Sequence, residues 1–398
     1  MSSAIAERMA KIAPFQVMQL LGDALQLQQQ GRSIIHMEVG EPDFPTPAPI
    51  IAAAQRALAA GQTRYTPSLG LPALREAIAK YHRHCHQVNI DPNRIIITAG
   101  ASAGLLMALG ATISPHESVI LTDPGYPCNR NMLHFINAQL QAVPVTAASR
   151  YQLTAAMVKA HWQPHTRAAL IASPANPTGM LIDPQELAAM AAFINAKNGY
   201  LLVDEIYAGL NYTSTAANRN SALTLENPAI ISIHSFSKYF AMTGWRLGWL
   251  VVPPHLVNEL DKLAQNLYLA PSTIAQYAAL AAFGDETIAT LENYRHALKR
   301  RRDYLYDELQ LLDLDIPLRP EGAFYLYANC KRWHEPASQI SQRLLHEAGV
   351  AVTPGHDFGT FQSEDHLRFA YTTDMENLRQ GVTRLRHFHQ QQRRRVSL

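Results

Sequence analysis

Seven short apolar runs, separated by helical patterns, lie between residues 94 and 252 and constrain the fold more than any other feature. The runs are rich in Ile, Val and Leu and lack strict polar alternation, which is typical of strands buried on both faces. They predict an α/β domain around a mostly parallel seven-stranded sheet. We place the strands at residues 94–100, 118–124, 140–145, 168–174, 200–207, 230–235 and 246–252.

Local sequence signals predict two of the intervening helices. Asp183 is an N-cap candidate, followed by Pro184 in the first turn and Glu186 at the capping-box position. Gly199 is the expected C-cap of that helix. Apolar residues at helical spacing predict a second helix over 71–86.

The pattern changes after about residue 254, where helical segments replace the alternation. This change indicates a smaller α+β domain at the end of the chain. Its short strands are expected at 323–330 and 367–371, and its helices at 286–312, 336–348 and 375–389, after helices at 254–270 and 272–283. The four cations at 299–302 are expected on a solvated helix face.

Composition excludes several classes of protein. Lys plus Arg is 34 and Asp plus Glu is 32, a balance that argues against a nucleic-acid binder. No apolar stretch approaches the roughly 18 residues that span a bilayer, so no membrane partner is expected. Charged residues occupy positions 7, 8 and 11, where a signal peptide is apolar, and we expect a cytoplasmic protein. Three scattered cysteines predict neither a disulfide framework nor a metal site.

Lys238 is the first candidate for chemistry. It follows an apolar strand in the segment Ser235-Phe236-Ser237-Lys238, and ligands bind at the carboxyl ends of parallel strands. An ordinary lysine is neutral in roughly one molecule in 2,500 at pH 7. A lysine placed among apolar residues and near Arg246 is a better amine nucleophile, suited to a Schiff base. Taken alone, however, most lysines are solvated surface groups.

Other strand ends also carry polar residues. Asp204 ends the run at 200–203, and a buried carboxylate there needs a partner, either a structural arginine or a cofactor cation. The small residues at 98–104 link a strand to a helix and could approach a phosphate, although they match no dinucleotide or nucleotide-triphosphate loop. The segment Pro174-Ala175-Asn176-Pro177 is either a simple turn or a turn whose amide faces a site.

Together these motifs give the chain a clear family resemblance. It resembles the class I/II aminotransferases of the fold-type-I superfamily, which use pyridoxal 5′-phosphate (PLP). The resemblance covers most of the chain, from 40–44 (Gly-Glu-Pro-Asp-Phe) to 367–369 (Leu-Arg-Phe). Its motifs are Asn-Pro-x-Gly at 176–179, Asp-Glu-x-Tyr at 204–207, Ser-x-Ser-Lys at 235–238 and Gly-Trp-Arg-x-Gly at 244–248.

The resemblance implies roles for the residues around the cofactor ring. Lys238 would form the internal aldimine and shuttle the proton between Cα and C4′ of the cofactor. Asp204 would pair with the pyridinium nitrogen. Tyr207 and Asn176 would hydrogen-bond the phenolic oxygen, and Tyr126 would stack on the ring.

The resemblance also implies how the two charged ends are held. Arg368 would bind the substrate carboxylate, a bidentate task that suits a guanidinium. Gly40 would let the backbone approach that carboxylate, and Asn176 is expected to contact the substrate. The phosphate would be held by Ser235, Arg246 and the backbone of Ala101 and Ser102.

Tyr65 matches the family residue that reaches the phosphate bound in the neighbouring subunit. A homodimer with shared active sites is therefore expected. The family's organisation implies a large PLP-binding domain at 46–285. It also implies a discontinuous small domain made of 1–45 and 286–398.

The function implied is PLP-dependent transfer of an amino group from an L-amino acid to a 2-oxo acid. Aspartate-selective relatives supply a second cation, either a lysine where this chain has Ser102 or a partner arginine. Because 264–276 contains no arginine, we expect a donor with a neutral or apolar side chain. The same residues serve C–S β-lyases, so that alternative stays open. A PLP-sensing regulator would need a DNA-binding domain ahead of Gly40, where the sequence leaves little room.

Overall fold

The computed structural model describes residues 5–213 and 221–396. Its strands are β1 (Ile35–His36), β2 (Ile95–Thr98), β3 (Ser118–Asp123), β4 (Gln139–Pro144), β5 (Thr166–Ala172), β6 (Tyr200–Asp204), β7 (Ile230–Ser235), β8 (Gly248–Val251), β9 (Tyr325–Asn329), β10 (Val350–Ala351), β11 (Thr353–Pro354) and β12 (His366–Ala370). Its α-helices are α1 (Gln16–Gln29), α2 (Ala48–Ala59), α3 (Pro72–His86), α4 (Ala101–Thr112), α5 (Pro127–Phe135), α6 (Ala155–His161), α7 (Pro184–Ala196), α8 (Val257–Leu267), α9 (Thr273–Leu280), α10 (Asp285–Gln310), α11 (Ala337–Arg343) and α12 (Met375–Val396).

The seven predicted strands form one sheet, in the order β2-β8-β7-β6-β5-β3-β4. Strand β8 is antiparallel to both of its neighbours, and every other pair is parallel. The prediction of a mostly parallel seven-stranded sheet is confirmed. The strand ends differ from the predicted ones by at most three residues.

Both faces of this sheet are covered, as the continuous apolar runs predict. In β6, Leu202 belongs to a core cluster with residues of α4 and α8. The next residue, Val203, faces the other way and packs in a cluster with Met190 and Ile194 of α7. Successive side chains of a strand point to opposite faces, so helices on both sides bury all of them.

Two smaller sheets lie outside the seven-stranded one. Strands β11, β12 and β9 form an antiparallel sheet, and β1 pairs in parallel with β10. The N-terminal strand is thus hydrogen-bonded to the C-terminal part of the chain, which agrees with a discontinuous small domain. The domain boundaries themselves stay a prediction. Strands β1, β10 and β11 were not predicted, because each is only two residues long.

The predicted helices are present, with corrections at particular side chains. Asp183 caps α7 by accepting from the amides of Gln185 and Glu186. The capping box is not formed, because the Glu186 carboxylate accepts from the Ala155 amide, 2.6 Å away. Gly199 is not a left-handed C-cap; a β-carbon there would lie 2.7 Å from the Trp162 ring, which explains the glycine.

The prediction of a solvated cationic face on α10 was wrong for two of its four cations. Arg301 and Arg302 are buried. The Arg301 guanidinium forms two hydrogen bonds with the Asp43 carboxylate, at 2.7 and 3.0 Å. Arg302 donates to the Pro320 carbonyl at 2.7 Å. Within the described ranges, no helix combines the length and apolar character needed to cross a membrane.

Candidate active site

A cavity of about 310 Å³ opens at the carboxyl ends of the parallel strands. It is the place where such sheets bind ligands, because side chains from several strand ends and the following loops converge there. The structure brings all but one of the site residues predicted from the sequence to its wall. These are Gly40, Ala101, Ser102, Tyr126, Asn176, Asp204, Tyr207, Ser235, Lys238, Arg246 and Arg368.

One end of the cavity suits an anion. Helix α4 begins there after Gly100, whose φ of +83° is in the left-handed region. The first-turn amides of Ala101 and Ser102 have no partner within the helix, so they are available to an anion. A β-carbon at Gly100 would lie 2.7 Å from Nη2 of Arg246, so the guanidinium lies against this turn. In the described part of the chain no carboxylate forms an ion pair with Arg246.

Asp204, the last residue of β6, carries a buried carboxylate without a fixed cation. It is 7% exposed, and its Oδ1 accepts from the Ile206 amide at 3.1 Å. Within residues 5–213 and 221–396 it forms no ion pair. Burial raises its pKa to about 6, against smaller lowering effects from the Ile206 amide and the charge of Lys238. Such a carboxylate fits a ligand that brings its own positive charge.

Lys238 projects into the same cavity from the loop after β7. The Ser237 amide donates to Ser235 Oγ at 3.0 Å, which turns the chain at the strand end. The Lys238 ammonium donates to the Gly40 carbonyl at 2.8 Å. Burial lowers its pKa to about 8, with the charges of Arg368 and Arg246 adding to the effect and those of Glu41 and Asp204 opposing it. About a tenth of such a lysine is neutral at pH 7, so its nucleophilicity is raised.

Arg368, on β12, supplies a second cationic end to the cavity. Its side chain is 2% exposed. Nη1 donates to Asn176 Oδ1 at 3.1 Å, and Nη2 donates to the Glu38 carbonyl and to Thr353 Oγ1. The buried Nε–H has no acceptor among the described residues. A buried donor without a partner is costly, and the guanidinium forms no ion pair with a carboxylate of the described residues.

Tyr65 is the predicted residue that the structure does not bring to this cavity. Its side chain is 82% exposed at the surface of the chain. The neighbouring Arg64 carbonyl accepts from Thr273 Oγ1 at 2.7 Å, which fixes the segment at the start of α9. Tyr65 therefore does not serve the cavity of its own chain in this structure.

Several residues of the cavity wall were not singled out in the sequence. Tyr325 begins β9 and faces the cavity, and Ser237 lies beside Arg246, with Oγ 3.5 Å from Nη1. The N-terminal segment contributes Phe15, which meets the Tyr126 ring edge-to-face at 6.1 Å. Ser237 lies within the Ser-x-Ser-Lys motif and could have been found there. Tyr325 and Phe15 carry no motif, since only the packing of distant segments brings them to the site.

The cavity therefore offers three matched features for one ligand. It has an anion site at the start of α4, a buried carboxylate that lacks a cation and a lysine of lowered pKa, all in the wall of one cavity. Their residues fit PLP, which carries a phosphate, a ring nitrogen that can be protonated and a carbonyl that reacts with an amine. Arg368 lines the same cavity and forms no ion pair among the described residues, so it is available to a substrate carboxylate.

Comparisons with known proteins agree with this geometry. The sequence model of the family "Aminotransferase class I and II" matches residues 32–385. The chain is 35% identical to a valine–pyruvate aminotransferase of Mycobacterium tuberculosis, over 94% of this chain and 96% of that protein. It is 33% identical to an aspartate/prephenate aminotransferase of Thermus thermophilus, over 96% and 97% of the two chains. A crystal structure of an aminotransferase from Mycobacterium tuberculosis superposes with a TM-score of 0.94, at 34% identity, over 98% of this chain and all of the other.

Proposed function

Since this chain belongs to the class I and II aminotransferase family, we propose that it takes the amino group from neutral or apolar L-amino acids and works as a homodimer with shared sites. Membership of this family makes the chain a PLP-dependent aminotransferase, which passes the amino group to a 2-oxo acid. The observation that carries the proposal for the site is the joint presence of Lys238, Asp204 and Arg368 in one cavity.

Each of these residues has a distinct task in the proposed site. Bound PLP supplies an electron sink for the charge that develops at the substrate Cα. Asp204 holds the proton on the ring nitrogen, because a buried carboxylate stabilises a neighbouring cation. Lys238 Nζ carries the proton to and from Cα, a task suited to an amine whose pKa lies near the working pH. Arg368 fixes the substrate through its carboxylate and so keeps Cα within reach of Lys238.

The chemistry of the cavity wall supports a neutral side chain on the substrate. The cationic side chains among its described lining residues are Lys238, Arg246 and Arg368, and all three have proposed tasks. The remaining wall includes the apolar residues Phe15, Val17, Met18, Leu105 and Met132. A second substrate carboxylate would therefore lack a partner, which costs several kcal/mol in a partly dry site.

A panel of amino donors tests this preference. We expect valine or an aromatic amino acid to give a higher kcat/KM than aspartate with a common 2-oxo acid. Ser102→Lys should raise the kcat/KM for aspartate relative to valine by about tenfold, the scale of one hydrogen bond to a charged group. Ser102→Met is the matched neutral control and should not. A wild-type enzyme with aspartate as its best donor would contradict the preference.

Three features support the homodimer. Tyr65 points out of its own chain, as expected for a residue that serves a neighbour. Leu267 and Leu269 are also exposed, 57% and 45%, and exposed apolar residues favour association. Ser102 and Arg246, at the anion end of the cavity, are exposed in the single chain, so a second chain could complete that end.

A mixed dimer tests whether the sites are shared. If Tyr65 serves the partner's phosphate, a heterodimer of one Tyr65→Phe chain and one Lys238→Ala chain has one site with both lesions and one intact site. Two affinity tags isolate it, and we expect about half the wild-type activity per dimer if the sites act independently. The Tyr65→Phe homodimer should lose about tenfold, the scale of a hydrogen bond to a charged group. A heterodimer no more active than the mean of its parents would show that Tyr65 does not act across the interface.

A further inference from the structure

Tyr325 touches both halves of the proposed site. Its side chain is fully buried at the start of β9, and its hydroxyl lies 3.0 Å from the hydroxyl of Tyr207. Tyr207 is the residue proposed to bond the phenolic oxygen of the cofactor. The pair therefore connects Tyr325 to the cofactor half of the cavity.

The ring of Tyr325 lies against the guanidinium of Arg368. The distance from Cζ of Arg368 to the ring centroid is 4.3 Å, and Phe358 covers the guanidinium at 4.7 Å. The register explains this contact, since Ala370 pairs with Tyr325 across the two strands and Arg368 is two residues away on the same face. A guanidinium between two rings gains cation–π stabilisation and is held in one plane.

Tyr325 also explains why residue 40 is glycine. A β-carbon on Gly40 would overlap the Tyr325 hydroxyl. The Gly40 carbonyl in turn accepts from Lys238 Nζ. Any other residue at position 40 would have to displace Tyr325 or move the carbonyl that Lys238 contacts.

The two tyrosine hydroxyls share two protons, and this number limits which hydrogen bonds the Tyr207 hydroxyl can donate. Burial raises the pKa of both Tyr207 and Tyr325, so each keeps its proton at neutral pH. One hydroxyl proton makes the mutual hydrogen bond and one is left over. If Tyr325 donates, the single proton of Tyr207 is free to point into the cavity.

We propose that Tyr325 is a positioning residue for transamination. Its hydroxyl donates to Tyr207 and so directs the Tyr207 proton toward the cofactor. Its ring holds the Arg368 guanidinium in the plane that receives the substrate carboxylate. The inference rests on the proposed function, in which the cofactor faces Tyr207 and the carboxylate binds Arg368.

Two substitutions at residue 325 separate these tasks in the PLP-loaded enzyme. Tyr325→Phe removes only the hydroxyl and leaves the ring on Arg368. Tyr325→Leu removes both. Phe358→Leu removes the other ring over Arg368 and leaves Tyr207 untouched. Tyr306→Phe, on α10 and outside the cavity wall, removes a hydroxyl that donates to the Ile316 carbonyl and is the control for loss of a hydrogen-bonded tyrosine hydroxyl.

Two readouts follow the two halves of the site. The first is the pH midpoint of the absorbance change of the bound cofactor. A weaker bond from Tyr207 leaves more charge on the phenolic oxygen, so the proton at Lys238 Nζ is held more tightly and the midpoint rises. The second is the dissociation constant of 3-phenylpropionate, a carboxylate without an amino group, measured by calorimetry.

We expect Tyr325→Phe to raise the midpoint and to leave the carboxylate affinity within about twofold of wild type. Tyr325→Leu should raise the midpoint and weaken the carboxylate by about tenfold, and Phe358→Leu should weaken only the carboxylate, on a similar scale. In a Tyr207→Phe background, Tyr325→Phe should not raise the pH midpoint further, because the Tyr207 hydroxyl that it would bond is already absent.

Unchanged midpoints in Tyr325→Phe, together with unchanged carboxylate affinity in Tyr325→Leu, would overturn the proposal. Urea unfolding checks that the variants fold. If Tyr325→Leu does not fold, the proposal is still tested by the nearly isosteric Tyr325→Phe, measured alone and combined with Tyr207→Phe. A wild-type protein that bound neither PLP nor the carboxylate would instead count against the proposed function, so the two failures are distinguishable.

Discussion

Lys238→Ala is expected to lose at least about a thousandfold in kcat, since proton transfer by a positioned base alone contributes roughly 10² to 10⁴. Alanine removes both the amine that reacts with PLP and the group that carries the Cα proton. The variant should still fold and retain PLP noncovalently, because the anion site and Asp204 are intact. Stopped-flow absorbance and steady-state transamination measure the loss.

Three controls make the assignment to Lys238 specific. Lys262→Ala removes an exposed lysine that pairs with Glu259 and should keep wild-type activity. Added ethylamine should partly restore activity to Lys238→Ala, because a small amine can occupy the space of the lost side chain. Borohydride reduction of the wild type should attach the cofactor to Lys238. Finding it on another lysine would end the assignment.

Asp204→Asn is expected to lower kcat between about ten- and a thousandfold, with a smaller effect on PLP affinity. An adjacent opposite charge shifts a pKa by about 1 to 3 units, and asparagine keeps the shape of the side chain without that charge. The ring nitrogen would lose its proton, and the electron sink would weaken. Single-turnover rates with saturating substrate, beside PLP titrations, measure the two effects. Near-normal turnover would mean that Asp204 is structural.

The same substitution should stabilise the cofactor-free protein at high pH. The folded pKa of Asp204 is about 6, above the unfolded value near 3.9, so the folded state binds the proton more tightly. The contribution of Asp204 to the stability of the wild type therefore falls as pH rises from about 4 to 6, by up to about 3 kcal/mol. Asp204→Asn should gain that amount at pH 8 and nothing below pH 4. Urea unfolding without PLP at both values measures it, and a gain independent of pH would contradict the cause.

Much of the large sheet could be predicted because burial on both faces imposes a continuous apolar pattern. Every one of the seven runs became a strand of one sheet. The two-residue strands β1, β10 and β11 could not be predicted, since so few residues carry no periodicity. The order of the strands in the sheet could not be predicted from the apolar pattern either, because it depends on how the helices that connect the strands pack against the sheet.

Arg301 and Tyr325 mark the limit of residue-level prediction. A cation on a helix is usually solvated, and the sequence does not reveal that Asp43, far away in the chain, forms two hydrogen bonds with Arg301. Tyr325 belongs to a strand that was predicted, but nothing local shows that its face meets Tyr207 and Arg368. Both contacts depend on distant segments that meet only in the folded chain.

By itself, the sequence determined the strands of the large sheet, the main helices and the chemical groups. Apolar periodicity defined the strands, and the motifs at 176–179, 204–207 and 235–248 identified the lysine, carboxylate and arginine that suit PLP. Only the tertiary structure decided the pKa values and the contacts of those groups. Burial at the strand ends moves the pKa of Lys238 down and that of Asp204 up, and the contact between β9 and β12 holds Arg368 beside Tyr325. Burial and contact between distant segments arise only on folding, so no local pattern could contain them.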